Sequence, residues 1–310
     1  MSARKPPRLT EQQREERRAA ERQLAVDAVE HLRSSEGWQR WLAVRRRFHR
    51  YSLRNQLLIA LQKPDATHVA GFRAWLGLGY AVKRGEHGLR IWTPIPPNKA
   101  KLQAWRAAGA DPNERPRTLF KFGFVFDRSQ VEPLPPPATP ADLDVPIAPL
   151  SGDELAHLLD PLTRFATTLG YRVTVEDLGG PDGACSHREQ AIAVEASLAP
   201  NGQIAALLHE LAHALVRCDR HEEDPRLTYA AEELIVESVA FSVAAAAGLD
   251  TAENSIPYLT AWSQDTPIDT IHAHAALIDR LARRLEDAIS EDTPDREGAD
   301  EALDVEAAAL

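Results

Sequence analysis

Cysteine is scarce in this sequence. Cys185 and Cys218 are the only two in 310 residues, too few to staple a secreted fold of this size or to build a four-thiolate zinc site. Long apolar runs are missing as well: none reaches the roughly 18 to 20 residues needed to cross a bilayer. Residues 1–22 are charged and lack the apolar centre of a signal peptide. No internal repeat is visible. These absences lead to the expectation of a soluble, cytoplasmic protein with no membrane partner. What is present is ordinary for a globular chain, 44% hydrophobic and 26% charged, which argues against wholesale disorder. A length of 310 residues points to about two domains.

One sign of charge is depleted in each part of the chain. Residues 1–130 carry 26 Lys+Arg against 12 Asp+Glu, a balance of +14, and residues 131–310 carry 10 against 34, a balance of −24. Of the 19 Phe, Tyr and Trp residues, 13 lie in the first stretch. Cations neutralise phosphates and rings stack on unpaired bases, so this mixture fits a single-stranded nucleic-acid partner. Rings filling a core and arginines solvating helices would give the same composition.

The expected architecture is α+β, a helical first domain with a small antiparallel sheet followed by a second α+β domain. Thr10 and Gln13 read as a capping box for a helix to about Arg33, Ser34 and Ser35 cap a second through Arg47, and Ser52 caps a third over Asn55 to Gln62. A short helix over Phe72 to Leu76 precedes an expected β-hairpin, Tyr80 to Val82 with Leu89 to Thr93, whose turn Lys83-Arg84-Gly85-Glu86-His87-Gly88 is basic. Phe120, Phe122, Phe124 and Phe126 alternate as a third strand of that sheet. The proline-rich stretch 132–149 reads as a semi-rigid linker between domains 1–131 and 150–285. In the second domain the pattern predicts a helix near Ser151 to Leu169, strands Arg172 to Val175 and Ala191 to Val194, and helices Ile204 to Val216 and Thr228 to Ala247. Residues 286–310 read as an acidic, disordered tail.

His209-Glu210-Leu211-Ala212-His213 matches H-E-x-x-H inside an apolar helix. On a helix His209 and His213 stack at i and i+4, so both imidazoles reach one metal ion, with Glu210 on the adjacent face as general base. The bland alternative, two histidines lining a helix surface, leaves imidazoles unpaired if that helix is buried. Glu233, 20 residues after His213, has the spacing of a third ligand in zincins and is favoured over Glu232 and Glu237. Glu237, one turn later, is placed to hydrogen-bond the outer nitrogen of a ligating histidine. The implied cofactor is Zn2+ and the implied reaction is amide hydrolysis. Strand Ala191 to Val194 is a candidate for pairing with an extended substrate peptide. Tyr229, Tyr258, His221, His272 and His274 are candidates for stabilising the oxyanion, the two last reading as structural. Cys218 reads as a small buried residue.

Residues 10–131 resemble the N-terminal domain of the ArdC antirestriction proteins, through Tyr51-Ser52, Asn55-Gln56-Leu57-Leu58, Gly71-Phe72-Arg73-Ala74-Trp75, residues Gly79 to Gly88 and Phe124-Val125-Phe126-Asp127. Residues 150–250 resemble the zincin-like metallopeptidase domain of that family and the ImmA/IrrE metallopeptidases, through the HExxH segment and Ala231 to Glu237. The resemblance implies single-stranded DNA binding by the first domain and a gluzincin-like metal site in the second. Arg54, Asn55, Trp75, Tyr80, Lys83, Arg84, His87 and Trp92 are its candidate DNA-binding residues. It implies an antirestriction role. The alternatives are a regulatory peptidase cleaving a repressor, and a non-catalytic DNA-protecting protein with a structural metal. The protein substrate is not named by the sequence.

Overall fold

A computed structural model describes residues 11–48, 50–95, 103, 106–107, 119–136, 138–141, 143, 148–219, 227–249 and 267–290. The expected cap at Thr10, most residues between 95 and 119, and the acidic residues beyond Ser290 lie outside them. The first unit opens with helices α1 (Glu11–Glu30), α2 (Ser35–Arg45), α3 (Leu53–Gln62) and α4 (Phe72–Gly77). Ser34 starts α2 by accepting the Gly37 N–H at 2.9 Å, as its place before an apolar periodic run predicts.

Three strands, β1 (Val69–Gly71), β3 (Leu89–Ile95) and β4 (Leu119–Asp127), form an antiparallel sheet in the order β1-β4-β3. β2 (Tyr80–Val82) pairs instead with β5 (Val131–Pro133), so the expected hairpin between 80–82 and 89–93 does not form. The basic turn 83–88 joins strands of two sheets. β3 already spends its hydrogen bonds on β4, with Leu89 opposite Val125 and Ile95 opposite Leu119. Gln130 holds the turn, donating to the Glu86 carboxylate and the His87 carbonyl at 2.9 Å each. The outer edge of β3 is closed by side-chain amides of α3. Asn55 exchanges two hydrogen bonds with the backbone of Trp92 (2.8 and 2.9 Å), and Gln62 does the same with Arg90 (2.9 Å each). Two residues seven apart on a helix thus substitute for a missing strand.

The described residues of the expected linker are pinned, the earlier ones along the first unit and Ala148 against the second. Its start is strand β5, Leu134 donates to the Gly79 carbonyl at 2.8 Å, Ala141 donates to the Leu78 carbonyl at 2.9 Å, and Ala148 bridges Leu249. The second unit has helices α5 (Leu159–Thr168), α6 (Pro200–Cys218), α7 (Tyr229–Ala246) and α8 (Ile268–Ser290), with a sheet in the order β6-β8-β7. In it β6 (Arg172–Glu176) runs parallel to β8 (Ala191–Glu195), and β7 (Gly183–Ser186) runs antiparallel. β7 falls between the two expected strands, in residues where none was expected. α8 extends past residue 285, and Glu286 is 5% exposed inside the molecule instead of opening a solvated tail.

The halves share one core. Leu32, Trp38, Trp41 and Leu42 of the first unit belong to the same continuous apolar cluster as Leu211, Val239, Ile278 and Leu285 of the second. α7 lies between α6 and α8 and is apolar on most of its surface, as burial on several sides requires. The Arg46 guanidinium, just past α2, stands 5.8 Å from the Phe241 ring of α7. No helix among the described residues is long and apolar enough to cross a membrane.

Candidate metal centre and aromatic face

α6 begins with Pro200 at its first turn, where the missing N–H costs nothing. Its apolar positions Ile204, Leu207, Leu208, Leu211, Ala214 and Leu215 are buried. That packing turns His209 and His213 to the half-buried side facing α7, with their ring centroids 5.1 Å apart. α7 starts at Thr228, whose hydroxyl accepts the Ala231 N–H at 3.2 Å. The cap fixes the register in which Glu232, Glu233 and Glu237 meet the histidines.

Ligand atoms of His209, His213 and Glu233 all lie within 4.8 Å of one another. His213 Nε2 is 3.7 Å from Glu233 Oε1. The other ring nitrogens face other carboxylates: His209 Nδ1 is 3.6 Å from Glu237 Oε1, and His213 Nδ1 is 3.4 Å from Glu232 Oε1. Each imidazole therefore has its own carboxylate on Nδ1, a pairing that fixes tautomer and ring orientation in metal sites. Glu237 was expected in this position; the matching place of Glu232 on His213 was not. Adjacent residues on a helix point about 100° apart, and here both Glu232 and Glu233 reach one histidine because its ring presents a nitrogen to each. Two imidazoles and one carboxylate suit zinc, and leave a position open. The arrangement of these residues fits a divalent metal.

Glu210 is 8% exposed. Burial raises its pKa above the usual glutamate range, the neighbouring His209 opposes that rise, and Glu233 adds to it. Its side chain runs against β7, where a Cβ at Gly183 would stand 2.8 Å from Glu210 Cγ. Only glycine tolerates that approach without displacing the carboxylate. The sequence contained a signal for this contact, the glycine-rich run Gly179-Gly180-Pro181-Asp182-Gly183, but nothing to link it to residue 210.

β8 sits in the centre of its sheet and is paired on both sides, so the expected strand 191–194 has no edge for a substrate. The edge nearest α6 belongs to β7. Of the oxyanion candidates, His221 and Tyr258 lie outside the described residues. His274 is 2% exposed, with Nδ1 2.7 Å from the Thr270 carbonyl, and His272 is on the same helix α8; neither joins the metal cluster. Tyr229 is 81% exposed, and the carboxylate of Glu233 beside its hydroxyl raises the tyrosine pKa. A further group lies nearby: His187 Nδ1 is 2.9 Å from the Tyr171 hydroxyl, and burial lowers the His187 pKa, against the pull of Glu232. Cys185 is pushed up to about 12 by burial and by Glu210. Cys218 is exposed, at the end of α6, rather than buried.

In the first unit the candidate DNA-binding residues separate into two groups. Trp75 and Tyr80 are core residues, 1% and 6% exposed. The Trp75 indole donates to the Phe126 carbonyl at 2.8 Å and the Tyr80 hydroxyl donates to the Ala141 carbonyl at 2.8 Å. Asn55 is buried and holds the backbone of β3. Arg54, Lys83, Arg84 and His87 are exposed. Trp92 is half-buried, tilted against Phe122 with centroids 4.1 Å apart, and the Arg54 guanidinium lies 6.0 Å from its ring. The family resemblance points to aromatic residues without telling which are core, because a ring serves packing and stacking equally well.

Comparison with known proteins adds three findings. An uncharacterized protein of Bacillus anthracis is 23% identical over 289 residues, covering 84% of this chain and 48% of its own length. The chain thus spans about half of that relative. The crystal structures of the antirestriction ArdC protein from plasmid R388, metal-free and Mn(II)-bound, superpose with a TM-score of 0.46 at 19% and 18% identity, over 77% of this chain and 85% of theirs. In sequence, residues 19–126 match the family model of the N-terminal domain of anti-restriction factor ArdC.

Proposed function

We propose that this chain is a metal-dependent peptide hydrolase of antirestriction type, joined to a unit that binds single-stranded DNA. The observation that carries the reading is the convergence of His209, His213 and Glu233 within 4.8 Å, beside a buried Glu210 that ligates nothing in this arrangement. His209, His213 and Glu233 would hold the ion, with zinc favoured by the donor set. When bound, the metal supplies Lewis-acid polarisation of the scissile carbonyl and a more acidic water. Glu210 accepts the proton of the attacking water and delivers it to the leaving amine. Its burial between α6 and Gly183 keeps bulk water from competing for that proton. Glu232 and Glu237 hold the imidazoles in the tautomer that presents Nε2. The Tyr229 hydroxyl, exposed beside Glu233, steadies that ligand, and the free edge of β7 is suited to pair with an extended substrate backbone.

The first unit's match to the ArdC N-terminal domain, its net charge of +14 and its exposed Arg54, Lys83, Arg84 and His87 support a single-stranded DNA partner. The test is a comparison of protein N-termini in cells carrying the parent or the Glu210→Gln variant. New N-termini that appear with the parent alone support hydrolysis and name the substrate. If one is a repressor, the role is regulatory; if the two sets are identical, the metal site serves structure and the peptidase reading is wrong.

A further inference from the structure

Phe120, Phe122, Phe124 and Phe126 occupy alternate positions of β4, so their side chains share one face of the sheet. The register sets Pro94, Trp92 and Arg90 of β3 opposite the first three, and residues directly opposite share a face. Leu89, Ile91 and Val125 lie on the other face and are buried in the core. The aromatic face behaves differently. Phe122 is 6% exposed beneath Trp92, yet Phe120 and Phe124 are 56% exposed each. Four residues of strand separate those two rings by about 13 Å, with the Trp92 ring between them.

Large exposed aromatics on one sheet face signal a partner, and the charges around this face select which. Arg90 is exposed opposite Phe124, and Arg54 stands over Trp92. The basic turn abuts the Phe124 end: a Cβ at Gly88 would lie 2.9 Å from the Phe124 Cβ. That contact sets the Gly88 end of the basic turn, with the exposed His87 next to it in sequence, beside the aromatic row. The acid of the turn, Glu86, is engaged by Gln130, and Asp127 at the end of β4 is buried. A row of rings flanked by cations matches bases flanked by phosphates. Duplex DNA keeps its bases stacked inside, out of reach of the rings.

We propose that Phe120, Trp92 and Phe124 form a stacking platform for the bases of single-stranded nucleic acid, with Arg54 and Arg90 along its backbone path. The proposal rests on the reading that the first unit binds single-stranded DNA, and locates that binding on the outer face of β3 and β4. Phe124 and Phe120 carry stacking here, and Trp75 and Tyr80 do not.

The test uses the full chain and a fluorescein-labelled oligothymidylate, with anisotropy read across a sodium chloride series. Phe120→Ala and Phe124→Ala should each weaken binding by about 5- to 150-fold with the slope of log affinity against log salt unchanged. Phe124→Trp should retain affinity, and Arg90→Ala should flatten the slope by about 0.7. Circular dichroism melts should match the parent, since the removed rings are exposed. An oligouridylate competing equally assigns the platform to single strands of either sugar. If the parent binds and both phenylalanine variants bind as tightly, the platform is wrong and the DNA-binding reading stands. If the parent fails to bind, both fall. If the variants instead shift sedimentation from dimer to monomer, the face joins two copies of the chain and the proposal is overturned.

Discussion

The Arg45 guanidinium of α2 grips both carboxylate oxygens of Glu286 in α8, at 2.6 and 3.1 Å, across 241 positions of sequence. Neither side chain has more than 6% exposure. Arg45 also pairs with Asp279 at 3.2 Å, Asp279 accepts from Gln56 at 2.9 Å, and Arg283 donates to Asp279 at 3.1 Å. The network balances two cations against two carboxylates. It stitches α2 and α3 of the first unit to the last helix of the second.

This relationship predicts that the halves unfold together. Removing one member of a buried pair leaves an uncompensated charge, at a cost of about 3 to 5 kcal/mol. Arg45→Ala should lower the unfolding free energy by that amount, in a single denaturant transition followed by both tryptophan fluorescence and far-ultraviolet circular dichroism. Two separate transitions in the parent protein would show that the units are independent and the shared core is misjudged.

Gly183→Ala tests the approach of β7 to Glu210. The added methyl would displace the carboxylate, and a shift on the order of 1 Å in a reacting group costs up to about 100-fold in rate. Peptide hydrolysis should fall roughly 10- to 100-fold while metal content stays at the parent level. Unchanged hydrolysis would remove Glu210 from the chemistry.

Asp127 ties β4 to the segment before β1. Burial pushes its pKa up, but donors from Ser129, Thr67 and His68 outweigh that and hold it below the usual carboxylate range, with the Thr67 N–H at 2.7 Å and the Ser129 hydroxyl at 2.6 Å. A depressed folded pKa contributes stability that is present above the unfolded value, near 3.9, and is lost as pH falls through the folded one. Asp127→Asn should cost about 1.5 to 3 kcal/mol near neutrality, and the gap to the parent should narrow below about pH 4. A gap that stays constant down to acid denaturation would show that the charge contributes nothing.

Helix α6 was legible because its two signals are local: HExxH lies within one and a half turns, and the apolar positions around it repeat at helical spacing. Ser34 as a cap and the alternating phenylalanines of β4 were legible for the same reason. α8 was not drawn from the sequence, although Ile271, Ala275, Ile278, Ala282, Leu285 and Ile289 recur at three- and four-residue spacing; its end was hidden by the acidic run that follows, and the need for Glu286 arises from an arginine far away in the chain. The pairing of β2 with β5, the place of β7 and the linker's attachment depend on non-local backbone hydrogen bonds, which periodicity does not encode. Residues 1–130 are basic by composition, but composition does not separate Trp75 and Tyr80, which pack, from Phe120 and Phe124, which are exposed.

The ligand set is the centre of this account, and metal content after dialysis tests it most directly. Parent protein and the Glu232→Ala, Glu233→Ala and Glu237→Ala variants are loaded with zinc, dialysed together and measured by atomic emission. Glu233→Ala alone should be stripped, while Glu232→Ala and Glu237→Ala lose about 10- to 100-fold in affinity and remain occupied at saturating zinc. Zinc retained by Glu233→Ala and lost by Glu232→Ala would contradict it, and would move the third ligand one residue back along α7.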